Sequence, residues 1–367
     1  MKFRCERDTL AEALSMAGRA VVSSRAGRAS AMEGLRMEVS GNQLEVVGTD
    51  FDMTIRVQAE ISGTTDGVCV APSRLITEAV RALEPGAVDV ELADEEIRLS
   101  RGRTNYRFRT YSAEDFPKLS EVVTDPLTCP AEDLSSALSQ VVRAASSDDA
   151  RPVLTGVLMA AEGTGLRLVA TDGYRLARRD LPGTSVLAEG QQVLVPSRSL
   201  AELGRLLSGV SGDVSIRLGE HDATFGVGGT RLTTRLLVGQ YPNYANLIPQ
   251  NPPNRLIIGR EPLLDALRRV KILVRDLTAS VRLTPRPDGV ELAVINQELG
   301  QVTEDVEAKY EGTEMTIGFN PTYLMEGVEA VVGDEVIIET TDAVKAAVVH
   351  GTDSPEFLYL LMPTRKL

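Results

Sequence analysis

The residues that could carry catalysis are few in this sequence, and they lack the partners that catalysis needs. Its two histidines, His221 and His350, have neither metal-ligand spacing nor the Ser/His/Asp arrangement of a hydrolase. Neither a GxxxxGK[ST] loop nor a GxGxxG segment after a strand occurs. The acidic pairs at residues 50 and 52 and at residues 148 and 149 have no nearby base or phosphate-binding loop, which favours solvated turn carboxylates.

The glycine-rich segment and the cysteines also indicate structure rather than catalysis. Residues 226–229 (GVGG) lie between two alternating runs, 223–227 and 230–236, which is typical of a hairpin turn rather than a phosphate cradle. Cys5, Cys69 and Cys129 are far apart and form no CxxC pair, so neither a disulfide framework nor a zinc site is predicted. We therefore predict no catalytic residue, no metal and no cofactor.

The elements that would position any binding site repeat along the chain. Residues 70–75 (VAPSRL) match residues 193–200 (VLVPSRSL) and, more weakly, residues 318–324 (GFNPTYL). A Leu-x-x-Ala-Leu helix opening recurs at residues 10–14, 134–138 and 263–267, at offsets of about 124 to 129 residues. Two further dipeptides recur at a similar spacing: Thr49-Asp50 corresponds to Thr171-Asp172, and Phe116-Pro117 corresponds to Tyr241-Pro242.

These repeats predict three copies of one domain, covering residues 1–125, 126–253 and 254–367. Asp125-Pro126 and residues 251–254 (NPPN) have the composition of linkers. Each copy is itself double, with helices predicted at 8–21 and 73–83, 132–146 and 197–207, and 262–276 and 321–332. Short alternating runs between them predict antiparallel strands, for example at 35–39, 43–47 and 54–59, and at 88–92, 97–101 and 105–110.

Composition places the chain among ordinary soluble proteins. Its 367 residues include 43% hydrophobic and 25% charged residues, no tryptophan and only 4% aromatics, so cores of Leu, Val, Ile and Ala are expected. The N-terminus lacks the apolar run of a signal peptide, and no stretch of apolar residues is long enough for a membrane helix. We expect a cytoplasmic protein that does not contact a membrane.

Six equal units of one helix and a small sheet, joined end to end, either curve into an arc or continue as a filament. Two such arcs meeting head to tail would close a ring. The net charge of −13 argues at face value against a nucleic-acid partner. However, the acidic and basic residues of the six predicted helices cancel, so the whole net charge lies outside them. A ring with helices inside would repel DNA much less from its inner wall than from its exterior.

Two motifs carry a resemblance to a known family. Residues 170–177 (ATDGYRLA) and 360–365 (LLMPTR), in register with residues 115–117 (DFP) and the threefold repeat, resemble the bacterial DNA polymerase III beta subunit family, the sliding clamps. The resemblance covers essentially the whole chain. It implies an α+β fold of three tandem DNA-clamp domains that close into a head-to-tail homodimeric ring, with helices inside and sheets outside. It also implies double-stranded DNA, an ATP-driven clamp loader and the replicative polymerase alpha subunit as partners.

The resemblance implies a peptide-binding groove between the second and third domains, which would also serve other proteins that carry a clamp-binding motif. Its residues would be Leu154, Thr171, Tyr174, Arg175, Leu176, Pro242, Leu247, Val344, Ala346, Leu360, Met362 and Pro363. An apolar groove rimmed by one arginine suits an extended peptide with Leu and Phe anchors, and a flexible Met can repack around different ligands. Leu176, Leu360 and Met362 could equally be core residues. Tyr174 stands where the family usually has His or another aromatic.

The resemblance also implies basic residues that contact DNA phosphates. They would be Arg25, Arg28, Arg74, Arg151, Arg198, Arg268, Arg269, Lys271 and Arg275. Phosphate contacts carry no sequence information and weaken with salt, which suits a sliding ring. The alternative for each is an ordinary solvated helix face. Residues 23–31 depart from the family, which usually has a Pro-rich stretch there.

A dimer contact is the third implication of the resemblance. Tyr106 and Phe108, on one face of a predicted edge strand, would meet Ile272 and Leu273 of a second copy. Burial in the chain's own core is the competing interpretation. Two other classes of function remain open at this point: an enzyme, and a repeat scaffold that binds peptides without DNA, which would keep the groove but not need the arginines on the helices.

Overall fold

The computed structural model of the chain describes residues 1–21, 31–119, 122–274, 280–352 and 354–364. Three predicted DNA contacts, Arg25, Arg28 and Arg275, lie outside the described residues. No helix in these ranges is long and apolar enough to cross a membrane. No cluster of His, Cys, Asp and Glu within them could hold a metal ion, and the three cysteines are buried thiols that form no disulfide with one another.

Each of the six predicted helices is confirmed. They are α1 (Arg7–Gly18), α2 (Ser73–Ala82), α3 (Ala131–Val141), α4 (Ser197–Leu207), α5 (Arg260–Val270) and α6 (Pro321–Ala330). The start of α6 shows why the sequence folds this way: Pro321 occupies the first turn, and the Asn320 side chain accepts hydrogen bonds from the backbone N–H groups of Thr322 and Tyr323 at 2.9 and 3.2 Å.

Several helix ends were predicted too late in the sequence. Helix α1 ends at Gly18, α3 at Val141 and α5 at Val270. A 3₁₀ turn follows α3 and α5, and it continues the spacing of apolar residues beyond the α-helix, which is why the sequence pattern placed these two ends too late. Short 3₁₀ helices lie at Ala31–Glu33, Ala113–Asp115, Val142–Ala144, Pro152–Thr155, Ala245–Leu247 and Lys271–Leu273.

The strands alternate with the helices and pair antiparallel throughout the described chain. They are β1 (Lys2–Glu6), β2 (Gly34–Ser40), β3 (Gln43–Thr49), β4 (Met53–Glu60), β5 (Ser62–Thr65), β6 (Gly67–Pro72), β7 (Ala87–Ala93), β8 (Glu96–Arg101), β9 (Thr104–Arg109), β10 (Leu127–Pro130), β11 (Gly156–Glu162), β12 (Gly165–Thr171), β13 (Arg175–Leu181), β14 (Gln192–Pro196), β15 (Asp213–Leu218), β16 (Asp222–Val227), β17 (Thr230–Arg235), β18 (Asn254–Gly259), β19 (Val281–Arg286), β20 (Gly289–Asn296), β21 (Gly300–Glu311), β22 (Ile317–Phe319), β23 (Glu335–Thr340), β24 (Ala347–Gly351) and β25 (Phe357–Leu361). The predicted α+β class is confirmed. The six strands predicted in the first repeat are also confirmed, as are the two predicted on either side of the turn at residues 226–229.

Three sheets contain these strands. A five-stranded sheet has the order β5-β1-β7-β8-β9, and an eight-stranded sheet has the order β10-β15-β16-β17-β4-β3-β2-β6. The largest, with twelve strands, has the order β14-β11-β12-β13-β25-β24-β23-β18-β21-β20-β19-β22. Strands of neighbouring repeats therefore share sheets: β17 of the second repeat pairs with β4 of the first, and β25 of the third pairs with β13 of the second.

By compactness the chain divides into two units rather than three. Unit 1 comprises Met1–Ala131 and Arg205–Leu236, and unit 2 comprises Glu132–Gly204 and Leu237–Leu367. Their cores consist mainly of Leu, Val, Ile and Ala, as the composition predicts, and Phe3, Phe225, Phe319 and Phe357 are the largest fully buried side chains. The predicted boundaries at residues 125 and 253 follow the sequence repeats, and they remain a prediction.

Candidate functional site

A tight turn in unit 2 connects β12 to β13 and carries the first predicted groove residues. The Asp172 carboxylate accepts hydrogen bonds from the backbone N–H groups of Tyr174 and Arg175 at 2.8 and 3.0 Å. The Thr171 hydroxyl donates to the Arg175 carbonyl at 2.6 Å and accepts from the Gly173 N–H at 3.1 Å. Gly173 has a φ of 94°, which glycine adopts without steric cost. The turn therefore holds Tyr174 at its tip, exposed to solvent.

The floor beside this turn is an apolar row that crosses three strands. Leu176 on β13 pairs with Leu360 on β25, which pairs with Val348 on β24. All three are buried, and they pack in one cluster with Leu158, Val169 and Leu194. Leu176 and Leu360, which the sequence left open between core and pocket, are thus core residues of the isolated chain that also form the floor of a surface region.

Four of the predicted groove residues in unit 2 are apolar and exposed. Tyr174, Leu247, Val344 and Met362 expose between 44% and 78% of their surfaces. The backbone N–H of Met362 donates to the Tyr174 carbonyl at 2.8 Å, so these two residues are direct neighbours. Leu247 immediately precedes Ile248, which packs on the floor cluster together with Tyr241 and Tyr244. Large apolar side chains exposed together on a globular protein commonly mark a binding surface.

The other predicted groove residues have mixed exposure. Thr171 and Ala346 are buried, Leu154 and Pro363 are partly buried, and Pro242 is exposed next to Tyr241. Burial raises the pKa of the Tyr241 hydroxyl, which lies 3.5 Å from the Val169 carbonyl that it faces. The Tyr241 side chain therefore packs against the floor cluster as an uncharged phenol.

Arg175 is engaged within its own chain. Its side chain is only 9% exposed; Nε donates to Asp172 Oδ2 at 3.0 Å, and Nη2 donates to the Arg143 carbonyl at 2.6 Å. Nη1 donates to the carboxylate of Glu326, and the guanidinium lies over the Tyr323 ring with 4.2 Å between the guanidinium carbon and the ring centroid. The Arg175 guanidinium therefore cross-links β13 to α6 instead of facing solvent as a rim cation.

Tyrosines complete this buried network. Burial raises the pKa of Tyr359, more than the nearby Arg175 guanidinium lowers it, and its hydroxyl donates to the Tyr323 carbonyl at 2.9 Å. Burial alone would lower the pKa of Arg175, but Tyr359 and Glu326 outweigh that effect and raise it. Sequence reasoning missed Glu326 and Tyr323; their spacing of three residues on α6, which places them on one helix face, was the available signal.

The predicted DNA contacts carry carboxylate partners on their own chain. Arg74 on α2 is exposed and pairs with Glu78 at 2.8 Å, and Arg268 on α5 pairs with Asp265 at 2.8 Å. Arg269 Nε donates to Glu304 at 2.9 Å, and this hydrogen bond lowers the pKa of the Glu304 carboxyl. Solvent screens such exposed pairs and leaves them with little net stabilisation, so a phosphate can compete for the arginine.

Three further predicted contacts lie elsewhere. Arg151 borders the turn described above, where Nη1 donates to the Asp172 carbonyl at 3.0 Å and Nε donates to Asp148 at 3.0 Å. Arg198 is exposed on the first turn of α4, and Lys271 is partly buried in the 3₁₀ turn after α5.

The predicted dimer residues are apolar and at least partly exposed. Tyr106 and Phe108 stack on each other with ring centroids 5.9 Å apart, on β9, which is an edge strand of the five-stranded sheet. Neither is a buried core residue. Ile272 is 78% exposed and Leu273 is partly buried.

Comparison with known proteins defines the class. Family models of the DNA polymerase III beta subunit match the chain in three consecutive stretches: the N-terminal domain over residues 1–120, the central domain over 128–243 and the C-terminal domain over 245–365. The chain therefore belongs to the DNA polymerase III beta subunit family, the sliding clamps. The family is non-catalytic, which agrees with the expectation that the chain is not an enzyme.

Individual relatives match from end to end. The chain is 31% identical over 383 residues to the beta sliding clamp of Streptomyces coelicolor, covering 100% of the chain and 99% of the relative. It is 29% identical over 371 residues to that of Escherichia coli, covering 100% of both. Crystal structures of the sliding clamps of Bacillus subtilis (TM-score 0.92, 26% identity, 100% of both chains) and of Bartonella birtlesii bound to griselimycin (TM-score 0.93, 27% identity, 100% of this chain and 99% of that one) share the fold.

Proposed function

We propose that two copies of this chain close head to tail into a ring that encircles duplex DNA in the cytoplasm. The ring, with helices inside and sheets outside, is opened and loaded by an ATP-driven clamp loader. It tethers the replicative polymerase alpha subunit and other proteins that carry a clamp-binding motif, and so confers processivity. The observation that carries this proposal is that unit 2 of a chain of this family combines a buried apolar floor with four exposed apolar residues, Tyr174, Leu247, Val344 and Met362.

A peptide with Leu and Phe anchors suits this groove. Fully burying one such side chain contributes about 1.5–3 kcal/mol, and association and ordering of the peptide offset much of the gain. Two anchors therefore give a contact that is weak enough to exchange between partners. Met362 can change its rotamer to fit different ligands, and the Tyr174 ring offers a flat wall.

The contact with DNA is proposed to be electrostatic and weak. Arg74, Arg198 and Arg268 lie on helices, and their chain is acidic overall, with a net charge of −13. Because phosphate contacts do not depend on base sequence and release counterions, such arginines would hold DNA loosely at any position. The acidic remainder of the surface would discourage DNA outside the ring.

The ring contact is proposed to join β9 of one copy to the region after α5 of the other. An edge strand has unpaired backbone groups that can bind a second chain, and the stacked Tyr106 and Phe108 supply apolar area on that strand. Ile272, which is largely exposed in the single chain, would become buried in this contact together with Leu273.

Topological retention tests the ring. The protein, loaded by its clamp loader, is expected to remain on nicked circular DNA and to slide off the same DNA once it is linearised. High salt removes electrostatically bound protein from both forms alike but leaves a closed ring on the circle. Equal, salt-sensitive loss from both forms would refute encirclement and favour a peptide-binding scaffold that does not need DNA.

Anchor substitution tests the groove. The double variant Tyr174→Ala with Met362→Ala is expected to weaken binding of a labelled polymerase-tail peptide at least tenfold in fluorescence anisotropy. Folding should be unaffected, because both side chains are exposed. Val123→Ala removes an exposed apolar side chain in unit 1 and serves as the matched control. Equal peptide affinity in the double variant and the control would show that the groove is elsewhere.

A further inference from the structure

The turn that carries Tyr174 has a counterpart in unit 1. Between β3 and β4, the Asp50 carboxylate accepts from the N–H groups of Asp52 and Met53 at 3.1 and 2.7 Å. The Thr49 hydroxyl donates to the Met53 carbonyl at 3.2 Å and accepts from the Phe51 N–H at 3.2 Å. These are the four bonds of the turn after β12, residue for residue. Phe51 even takes the positive φ of Gly173, at 76°, although bulky side chains rarely do so.

The strands next to the two turns also correspond. In unit 2, β13 pairs with β25, and the Met362 N–H donates to the Tyr174 carbonyl at 2.8 Å. In unit 1, β4 pairs with β17, and the Arg235 N–H donates to the Asp52 carbonyl at 2.9 Å. The backbone frame of the proposed groove therefore occurs twice in each chain.

One apolar wall is present at both places. In unit 1, Phe116 packs with Val47 and Val70, and partly buried Leu119 lies against them. In unit 2, Tyr241 and Tyr244 pack on Val169 and Leu194 in the same manner. This structural match agrees with the sequence repeat, in which Phe116-Pro117 corresponds to Tyr241-Pro242. Neither the backbone nor this wall distinguishes the two places.

The floors differ in polarity. Where unit 2 has Leu176, Leu360 and Val348 in one row, unit 1 has Thr54, Thr233 and Thr224, with Thr54 paired to Thr233 and Thr233 paired to Thr224. Their hydroxyls hydrogen-bond to neighbours: Thr49 to Thr54 at 2.8 Å and Thr224 to Thr233 at 2.9 Å.

The exposed residues at the edge of the floor are likewise polar in unit 1 and apolar in unit 2. Asp52 and Arg235 stand where the groove has Tyr174 and Met362. The floor hydroxyls already bond to neighbouring threonines, but they stand in place of the apolar side chains that an anchor would contact. An apolar anchor placed on this floor would therefore bury less apolar surface and gain less free energy than in unit 2.

We propose that polar side chains at these five positions, and not the backbone, restrict each chain to one peptide groove. Thr54, Thr224 and Thr233, with Asp52 and Arg235 at the edge, close the duplicate site in unit 1 to apolar peptides. This inference rests on the proposed peptide-binding function of unit 2. It assigns these residues a role in specificity, because they leave the groove of unit 2 as the site that partner peptides bind.

Grafting the five residues of the unit 2 groove tests the inference. The variant Asp52→Tyr, Thr54→Leu, Thr224→Val, Thr233→Leu and Arg235→Met is expected to bind two polymerase-tail peptides per chain in isothermal titration calorimetry, where the unmodified chain binds one. The matched control carries only the two edge substitutions and is expected to bind one, because its floor remains polar. A folded five-residue variant that still binds one peptide, or an unmodified chain that binds two, overturns the inference.

The reverse substitutions keep the inference testable if the graft does not fold. Leu360→Thr with Val348→Thr copies the unit 1 floor into unit 2 and is expected to lower peptide affinity at least tenfold in a folded chain. Unchanged affinity would overturn the role of the threonines. An unmodified chain that binds no peptide is a different result, because it would refute the proposed groove itself.

Discussion

Replacing Arg175 distinguishes a structural cross-link from a rim cation that meets the peptide. Its guanidinium is nearly buried and bonds to Asp172, Glu326 and the Arg143 carbonyl. Removing one partner of a buried ion pair leaves the other charge uncompensated, which typically costs about 3–5 kcal/mol. We therefore expect Arg175→Ala to lower the free energy of unfolding by about that amount.

Urea unfolding followed by circular dichroism measures this loss, which appears as a lower midpoint with an unchanged slope. Arg74→Ala is the matched control, because Arg74 pairs with Glu78 on an exposed helix surface, where solvent screening leaves an ion pair with little net effect on stability. Arg175→Lys should fall between the two, since an ammonium keeps the charge but cannot bond to three differently placed acceptors as the guanidinium does.

Peptide titration of folded Arg175→Ala completes the test. If Arg175 acts mainly by joining β13 to α6, its loss is seen chiefly in the unfolding midpoint. If it is instead a rim cation, Arg175→Ala would be no less stable than Arg74→Ala and would bind peptide more weakly. That second pattern would refute the reasoning.

Three further outcomes are expected. Ile272→Asp should yield a folded monomer in analytical ultracentrifugation, because Ile272 is largely exposed in the single chain, and a dimer of unchanged affinity would contradict the proposed contact. Native protein should react slowly with a thiol reagent and denatured protein quickly at all three cysteines, since they are buried and burial raises the pKa of Cys69 to about 12; one fast native thiol would contradict this. Gly173→Ala should destabilise by about 1–2 kcal/mol in thermal unfolding because of the positive φ of Gly173, whereas Gly204→Ala, in α4, should not destabilise; equal stability of the two would argue against strain at the turn.

Much of the local structure could be predicted from the sequence. Leu10 and Leu14 recur at helical spacing and are buried on α1, and the alternation in residues 54–59 produced β4 as expected. The threefold repeat strengthened these assignments, because one pattern found at three places is less ambiguous than any single copy. Short strands such as β1 and β5 were not predicted, since a few residues give too little periodicity to recognise.

The long-range pairings could not be predicted in this way. Arg175 and Glu326 are 151 positions apart, and nothing near either residue indicates that the other neutralises it. The pairing of β13 with β25 likewise depends on how the repeats pack. The groove residues therefore came from the resemblance to a family, whereas the buried state of the arginine required the structure.

The division into two compact units has a consequence for how the chain unfolds. The second repeat is split: β11 to β14 belong to unit 2, and β15 to β17 belong to unit 1. A fragment cut at either repeat boundary would separate strands that pair across it, such as β13 from β25, and would expose aggregation-prone edges. Hydrogen exchange should accordingly resolve two blocks of protected amides whose limits fall inside the second repeat, so that units of cooperative unfolding and units of gene duplication do not coincide.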